Sequence, residues 1–135
     1  MLTEAKGVPL SITLSGANTH DIKLLEKTLN EIIVPRPETT ENLCLDAAYV
    51  SKKHEENMKF RGYIPHVRPR GEKKKSIEKD PDFKTRRWVV EVSHSWLNRF
   101  KKLLVRFEKK SENYLNLLYF ACSIIAWRQT IKVHF

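Results

Sequence analysis

An α/β fold is predicted for this chain by three observations: short β-branched or apolar runs closed by turn residues, helical-period segments lying between those runs, and a switch to purely helical periodicity after Thr85. Strands alternating with helices call for a sheet with helices packed on its faces. Val8 to Leu14 (VPLSITL) has strand character and is closed by the turn-rich Ser15-Gly16-Ala17-Asn18. Asp21 marks a helix start, and Ile22, Leu24, Leu25, Leu29 and Ile32 or Ile33 follow at helical spacing until Pro35 and Pro37 end the helix. Asn42 to Asp46 is a short buried strand. Ser51 to Arg61 is a charged surface helix stopped by Gly62, and Tyr63 to Val67 is a strand whose Pro65 places it near a sheet edge.

The second half is different in kind. Arg68 to Asp82 (RPRGEKKKSIEKDPD) is a polar, basic loop. From Thr85 a long helix is predicted, with Trp88 or Val89, Val92, Trp96, Phe100, Leu103 and Phe107 recurring every three or four residues. Ser111 caps a last helix whose Leu115, Leu118, Cys122 and Ile125 form an apolar stripe. The expected organisation is one domain: a sheet-forming part over about residues 7–68, a basic loop over 69–84 and a helical part over 85–130.

Composition excludes several classes. The 135 residues suit one domain, and with 41% hydrophobic content a core is within reach. The longest apolar run, Leu115 to Trp127, is interrupted by Asn116 and Ser123 and falls short of the roughly 20 residues a bilayer needs. Nothing at the start resembles a secretion signal, and two widely spaced cysteines, Cys44 and Cys122, fit reduced thiols; a cytoplasmic protein without a membrane partner is expected. The five histidines show no zinc-site spacing, and no glycine-rich phosphate loop is present.

Charge is concentrated in the middle. Residues 52–110 carry nineteen Lys or Arg against eight Asp or Glu, whereas residues 1–51 carry four against seven, within a total of +9. Such a surplus either attracts a polyanion, nucleic-acid phosphate being the commonest, or serves only as a solvated surface. Against this background two acids stand out. Asp46 ends an apolar run, where a strand's carboxyl end in an α/β sheet usually holds ligands; it is either a helix N-cap or a ligand for something positive. Glu91 lies one position before Val92 on the apolar seam, one turn after Arg86 and Arg87; it is either in a structural ion pair or projects toward the end of the Asp46 strand.

Four blocks in order, PLSITLSGANTHD, ENLCLDAAY, GYIPHVRPRGE and RRWVVEVSHSWLNRFKKLLVRFEKKSENYLNLLYFACSIIAWR, resemble the C-terminal half of the DDE transposases of bacterial insertion sequences. The resemblance covers about Gly7 to Arg128. It implies a ribonuclease-H-like mixed sheet flanked by helices, which holds three carboxylates and two divalent metals for phosphodiester cleavage and strand transfer. Hard oxygen ligands suit Mg²⁺ or Mn²⁺. By the same resemblance Asp46 is the second acid of the triad and Glu91 the third, both catalytic and metal-binding.

The family's signature around the glutamate is matched in part. Arg87 and Glu91 fit, whereas Lys84 stands at the aromatic position beside Phe83, and Asn98 at the basic position beside Arg99. Arg87, Arg99, Lys101 and Lys102 are then the phosphate clamp, joined by Arg68, Arg70, Lys73, Lys74 and Lys75 of the basic loop. Trp88 or Trp96 stacks on DNA or packs in the core. Ser93-His94-Ser95 is expected to face solvent or DNA.

The family's first aspartate lies on a strand well before GVPLSITLSGAN, and no residue here fills that role; Asp21 is explained as a helix start. The resemblance therefore implies a domain incomplete at its N-terminus, with its first catalytic strand missing and little activity of its own. It would be either a frameshift-encoded half completed by an N-terminal transposase half or a decayed remnant. Expected partners are DNA, as transposon ends and target, and that N-terminal half or a second copy in a homodimer. The alternative is a non-catalytic basic module for DNA binding or oligomerisation.

Overall fold

The computed structural model describes residues 1–67 and 88–134. It is mixed α/β, with four short strands in two small sheets and five α-helices among the described residues. The chain divides into two compact units, one of Met1–Val34 with Trp88–Phe135, the other of Pro35–Arg87. The predicted basic loop, Arg68 to Asp82, lies outside the described residues, as do Lys84 and Arg87.

In the first unit, β1 (Leu2–Thr3) and β2 (Pro9–Ser11) pair antiparallel around a turn at Gly7, with a register shift between Leu2 and Thr3. The strand predicted over Val8 to Leu14 is thus shorter than its sequence pattern. A 3-10 turn, Asp21–Leu24, leads into α1 (Leu25–Asn30). Asp21 occupies the first turn and His20 the cap position, so Asp21 acts on the exposed amides by charge. Thr28 fastens this helix to β2: Ser11 Oγ donates to its carbonyl at 2.7 Å, and its own hydroxyl lies 2.9 Å from that of Thr13. The helix ends before the prolines are reached; of Ile32 and Ile33, offered by spacing as alternatives for the apolar face, Ile32 is half-buried and Ile33 is 91% exposed.

The helical part differs from expectation at one place. The long helix predicted from Thr85 is broken: α3 spans Trp88–Leu97, the chain turns at Asn98–Phe100, and α4 is a single turn, Lys101–Leu104. Phe100 takes an extended conformation (ψ 96°), which the 3–4 spacing of its neighbours did not reveal. The break changes which residues are inside. Val89, Ser93 and Leu97 form the buried face of α3, whereas Trp88 is 57% and Phe107 74% exposed. The last helix, α5 (Ser111–His134), packs Leu118, Ala121 and Ile125 against Ile12, Leu97 and Leu103 to make the core. Trp96, Phe100, Tyr114, Leu115 and Cys122 flank it half-buried.

The second unit contains β3 (Glu41–Leu45), α2 (Lys52–Phe60) and β4 (Tyr63–Val67). The two strands pair in parallel, Glu41 opposite Tyr63 through Leu45 opposite Val67, with the helix as crossover. Ser51 precedes α2 and Gly62, at φ +82°, follows it, as their residue types dictate. Leu43 and Tyr63 share one face of the strand pair and are buried, as is Met58 of α2. The other face carries Asn42, Cys44, Ile64 and His66, so β3 is buried only in part. His66 Nε2 lies 2.8 Å from Asn42 Oδ1 across that face.

Parallel pairing also orients the edges. Glu41 N–H donates to Gly62 O at 3.2 Å, so the odd-numbered residues of β3 turn their backbone groups toward β4. Pro65, opposite Leu43, then has its missing N–H on the outer side of β4, where no ladder bond is lost. Arg36 closes the unit. Its Nε donates to Glu41 Oε2 at 2.9 Å, a terminal nitrogen donates to the Arg61 carbonyl, and the guanidinium lies 3.8 Å above the Tyr63 ring.

Candidate functional site

Asp46 follows directly on the last residue of β3, at the strand's carboxyl end, and its side chain is exposed. Its carbonyl accepts the Tyr49 N–H at 3.0 Å and so begins the 3-10 turn Ala47–Tyr49. Asp46 therefore combines the start of a turn with a carboxylate presented at a strand end.

Glu91 lies in the first turn of α3 and is exposed. Its position follows from the helix's buried face: at about 100° per residue it stands roughly 160° around the axis from Ser93. The sequence pattern left open a structural ion pair with Arg86 or Arg87, both of which lie outside the described residues; among the described residues no hydrogen bond or ion pair engages Glu91. Asp46 belongs to the second unit and Glu91 to the first.

The basic residues divide between described and undescribed chain. Arg99, in the turn after α3, and Lys101 and Lys102, on α4, are all exposed. Arg68, Arg70, Lys73, Lys74, Lys75 and Arg87 lie outside the described residues. Of Trp88 and Trp96, Trp96 is half-buried against the core and Trp88 presents its indole to solvent. Asn98, at the signature's basic position, is exposed beside Arg99.

Two contributors escaped the sequence reading. Ser93, expected at the surface with His94 and Ser95, is 0% exposed, whereas those neighbours face solvent. The only available signal was its spacing, four residues from both Val89 and Leu97. Arg36, between two prolines, gave no signal at all, because its partners Glu41, Arg61 and Tyr63 come together only on folding.

Carboxylate oxygens at a strand end and on a helix are hard donors of the kind Mg²⁺ and Mn²⁺ prefer. Among the described residues, no three His, Cys, Asp or Glu side chains are grouped so as to hold a metal ion. None of the described helices is long and apolar enough to cross a membrane.

Comparison with known proteins gives two findings. The sequence matches the family model described as the transposase DDE domain over residues 1–125. It is similar to a putative transposase for insertion sequence element IS402 from Burkholderia cepacia, 29% identical over 136 residues, covering 94% of this chain and 61% of that protein. The chain thus spans less than two thirds of the length of this curated relative. No solved structure matches.

Proposed function

Because the chain belongs to the family of transposase DDE domains, we propose that it supplies part of the core with which an insertion-sequence transposase cuts and rejoins DNA. In this reading Asp46 and Glu91 are two carboxylate ligands of Mg²⁺ or Mn²⁺. The observation that carries the reading is the family match over residues 1–125. The exposed carboxylates at the end of β3 and on α3, the latter without a hydrogen bond or ion pair among the described residues, support it. The finer fold assignment, a ribonuclease-H-like mixed sheet, is part of the same proposal and is supported by the parallel β3–α2–β4 crossover.

Each residue then has a physical task. Asp46 presents its oxygens from a strand end, where the backbone is held by the ladder to β4. Glu91 presents its own from the solvent side of a helix whose opposite side is fixed in the core. Divalent ions held by Asp46 and Glu91 would supply activation of the attacking water or 3′-hydroxyl and stabilisation of the leaving oxygen. Arg99, Lys101 and Lys102, with Arg87, Arg68, Arg70, Lys73, Lys74 and Lys75, bind the DNA backbone as point charges and forks and give affinity without base readout.

In this reading, by resemblance to the family's order, none of the acids in these 135 residues is assigned the triad's first position. The reading therefore draws the first carboxylate from an N-terminal transposase half; a homodimer is the alternative assembly and would not by itself supply that acid. It assigns the chain to the cytoplasm, and it holds that the 135 residues alone bind DNA without cutting it.

The test is nicking of supercoiled plasmid carrying the element's ends, in Mg²⁺ or Mn²⁺, by the chain alone and by the chain supplied with the N-terminal half. Metal-dependent nicking only in the supplied form, abolished by Asp46→Ala and by Glu91→Ala, is the expected result. DNA binding unchanged by both substitutions, with nicking in neither form, would replace this reading with a non-catalytic DNA-binding module. Efficient cutting by the chain alone would overturn the claim of incompleteness.

A further inference from the structure

In the first unit the turn between β1 and β2 rests on α3 at one point. Gly7 has φ +92°, and its amide donates to the Glu4 carbonyl at 3.0 Å. The Glu4 carboxylate accepts the amides of Lys6 and Val8 at 2.8 and 3.1 Å, so the shape of the turn is set by local bonds. The Gly7 carbonyl accepts a hydrogen bond from Ser93 Oγ. A Cβ at residue 7 would stand 3.3 Å from both Ser93 Oγ and the Val89 carbonyl, and 3.6 Å from the Trp96 ring. At this φ any side chain strains the backbone, and its Cβ would press on the helix at this approach, so glycine suits the position.

Ser93 Oγ also lies 3.1 Å from the Val89 carbonyl, one turn back. A hydroxyl has one proton, and the closer acceptor is Gly7, so the bond is a tertiary contact in place of the usual back-bond within a helix. It sits at the middle of the buried face, between Val89 and Leu97, with Glu91 roughly 160° away around the axis.

We propose that the Gly7–Ser93 contact is a positioning latch, which fixes the rotation of α3 about its axis and with it the direction in which the Glu91 carboxylate points. Burial of Val89 and Leu97 is non-directional and accommodates a modest rotation. A hydrogen bond with a preferred angle above about 150° does not. A rotation of about 20° would swing a group some 6 Å from the axis by roughly 2 Å, against the ~0.5 Å within which a ligating or catalytic group must be held. The functional importance of the latch rests on Glu91 being a metal ligand, as proposed above; its geometric action does not.

The test uses the full chain with nitroxide labels at Glu91→Cys and Asn116→Cys, the latter exposed on α5, in a Cys44→Ser, Cys122→Ala background. The interlabel distance is read by double electron–electron resonance. Ser93→Ala should shift the mean by about 2 Å or more or at least double the width of the distribution. Gly7→Ala, which presses on the same contact from the other side, should do likewise. Leu118→Ala, a core cavity without a latch defect, should leave it unchanged below the unfolding temperature. Distributions for Ser93→Ala and Gly7→Ala that coincide with the parent overturn the latch. The samples contain neither metal nor DNA, so this result is separate from the nicking test: cleavage that survives Glu91→Ala would remove the site reading and leave the latch standing.

Discussion

Replacing Arg36 with alanine removes three interactions of the second unit at once. The bond to Glu41 joins side chains 31% and 38% exposed, so solvent screening limits it to about 0.5–1 kcal/mol. The bond to the Arg61 carbonyl contributes about 1 kcal/mol, and the guanidinium over the Tyr63 ring about 0.5 kcal/mol at this exposure. The sum, about 2 kcal/mol, corresponds to a roughly 30-fold change in an equilibrium constant. Because all three partners flank the β3–β4 ladder, the loss belongs to local opening of that ladder. Amide hydrogen exchange read by NMR is the assay. Protection at Glu41 and along Leu43, Leu45, Ile64 and His66 should fall by about 30-fold, while Leu118, Ala121 and Ile125 in the first unit keep theirs. Arg36→Lys, which retains the charge and loses the planar fork, should recover only a minor part. Ladder protection within two-fold of the parent in Arg36→Ala would refute the claim that this side chain closes the unit.

Other perturbations have defined outcomes. Gly62→Ala should cost about 1–2 kcal/mol in chemical denaturation, chiefly for backbone reasons, since among the described residues the new Cβ would meet only Arg36, at 3.7 Å; Gly62→Asn should recover part of the loss. Ser93→Ala should cost about 1–3 kcal/mol by leaving the buried Gly7 carbonyl without its hydroxyl donor, and a melting curve identical to the parent would contradict that. Burial pushes the Cys122 thiol up, so at pH 8 less of it is thiolate and iodoacetamide should modify exposed Cys44 first by mass spectrometry; equal rates would be the contrary result. Lys101→Ala with Lys102→Ala should lower the slope of log K against log salt for duplex DNA by about 2, and an unchanged slope would remove both from the DNA contact.

Local signals made part of the fold legible. β4 was bounded correctly because its alternation is closed by Gly62, and α2 because Ser51 and Gly62 mark its two ends within ten residues of sequence. The break between α3 and α4 was not legible: apolar spacing runs through Phe100 to Leu103 without interruption, while the backbone leaves the helix at Phe100. Phe107 was misplaced for the same reason, since periodicity cannot say where a helix stops. At the site, the strand-end position of Asp46 was visible in a short apolar run, and the helical position of Glu91 in its neighbours. The buried role of Ser93 was invisible, because its acceptor lies 86 residues away in the chain. Its polarity pointed outward, whereas its spacing from Val89 and Leu97 pointed in.

Paramagnetic broadening by Mn²⁺ in two-dimensional NMR of the isotope-labelled chain tests most directly whether Asp46 and Glu91 hold one ion. Weak binding suffices, since broadening reports proximity at low occupancy. The amides of Asp46 and Ala48 should broaden together with those of Glu91 and Val92 at the same Mn²⁺ concentration, and Glu91→Gln should sharpen both sets. Broadening at only one of the two places, or broadening at Asp46 that persists unchanged in Glu91→Gln, would contradict a shared site.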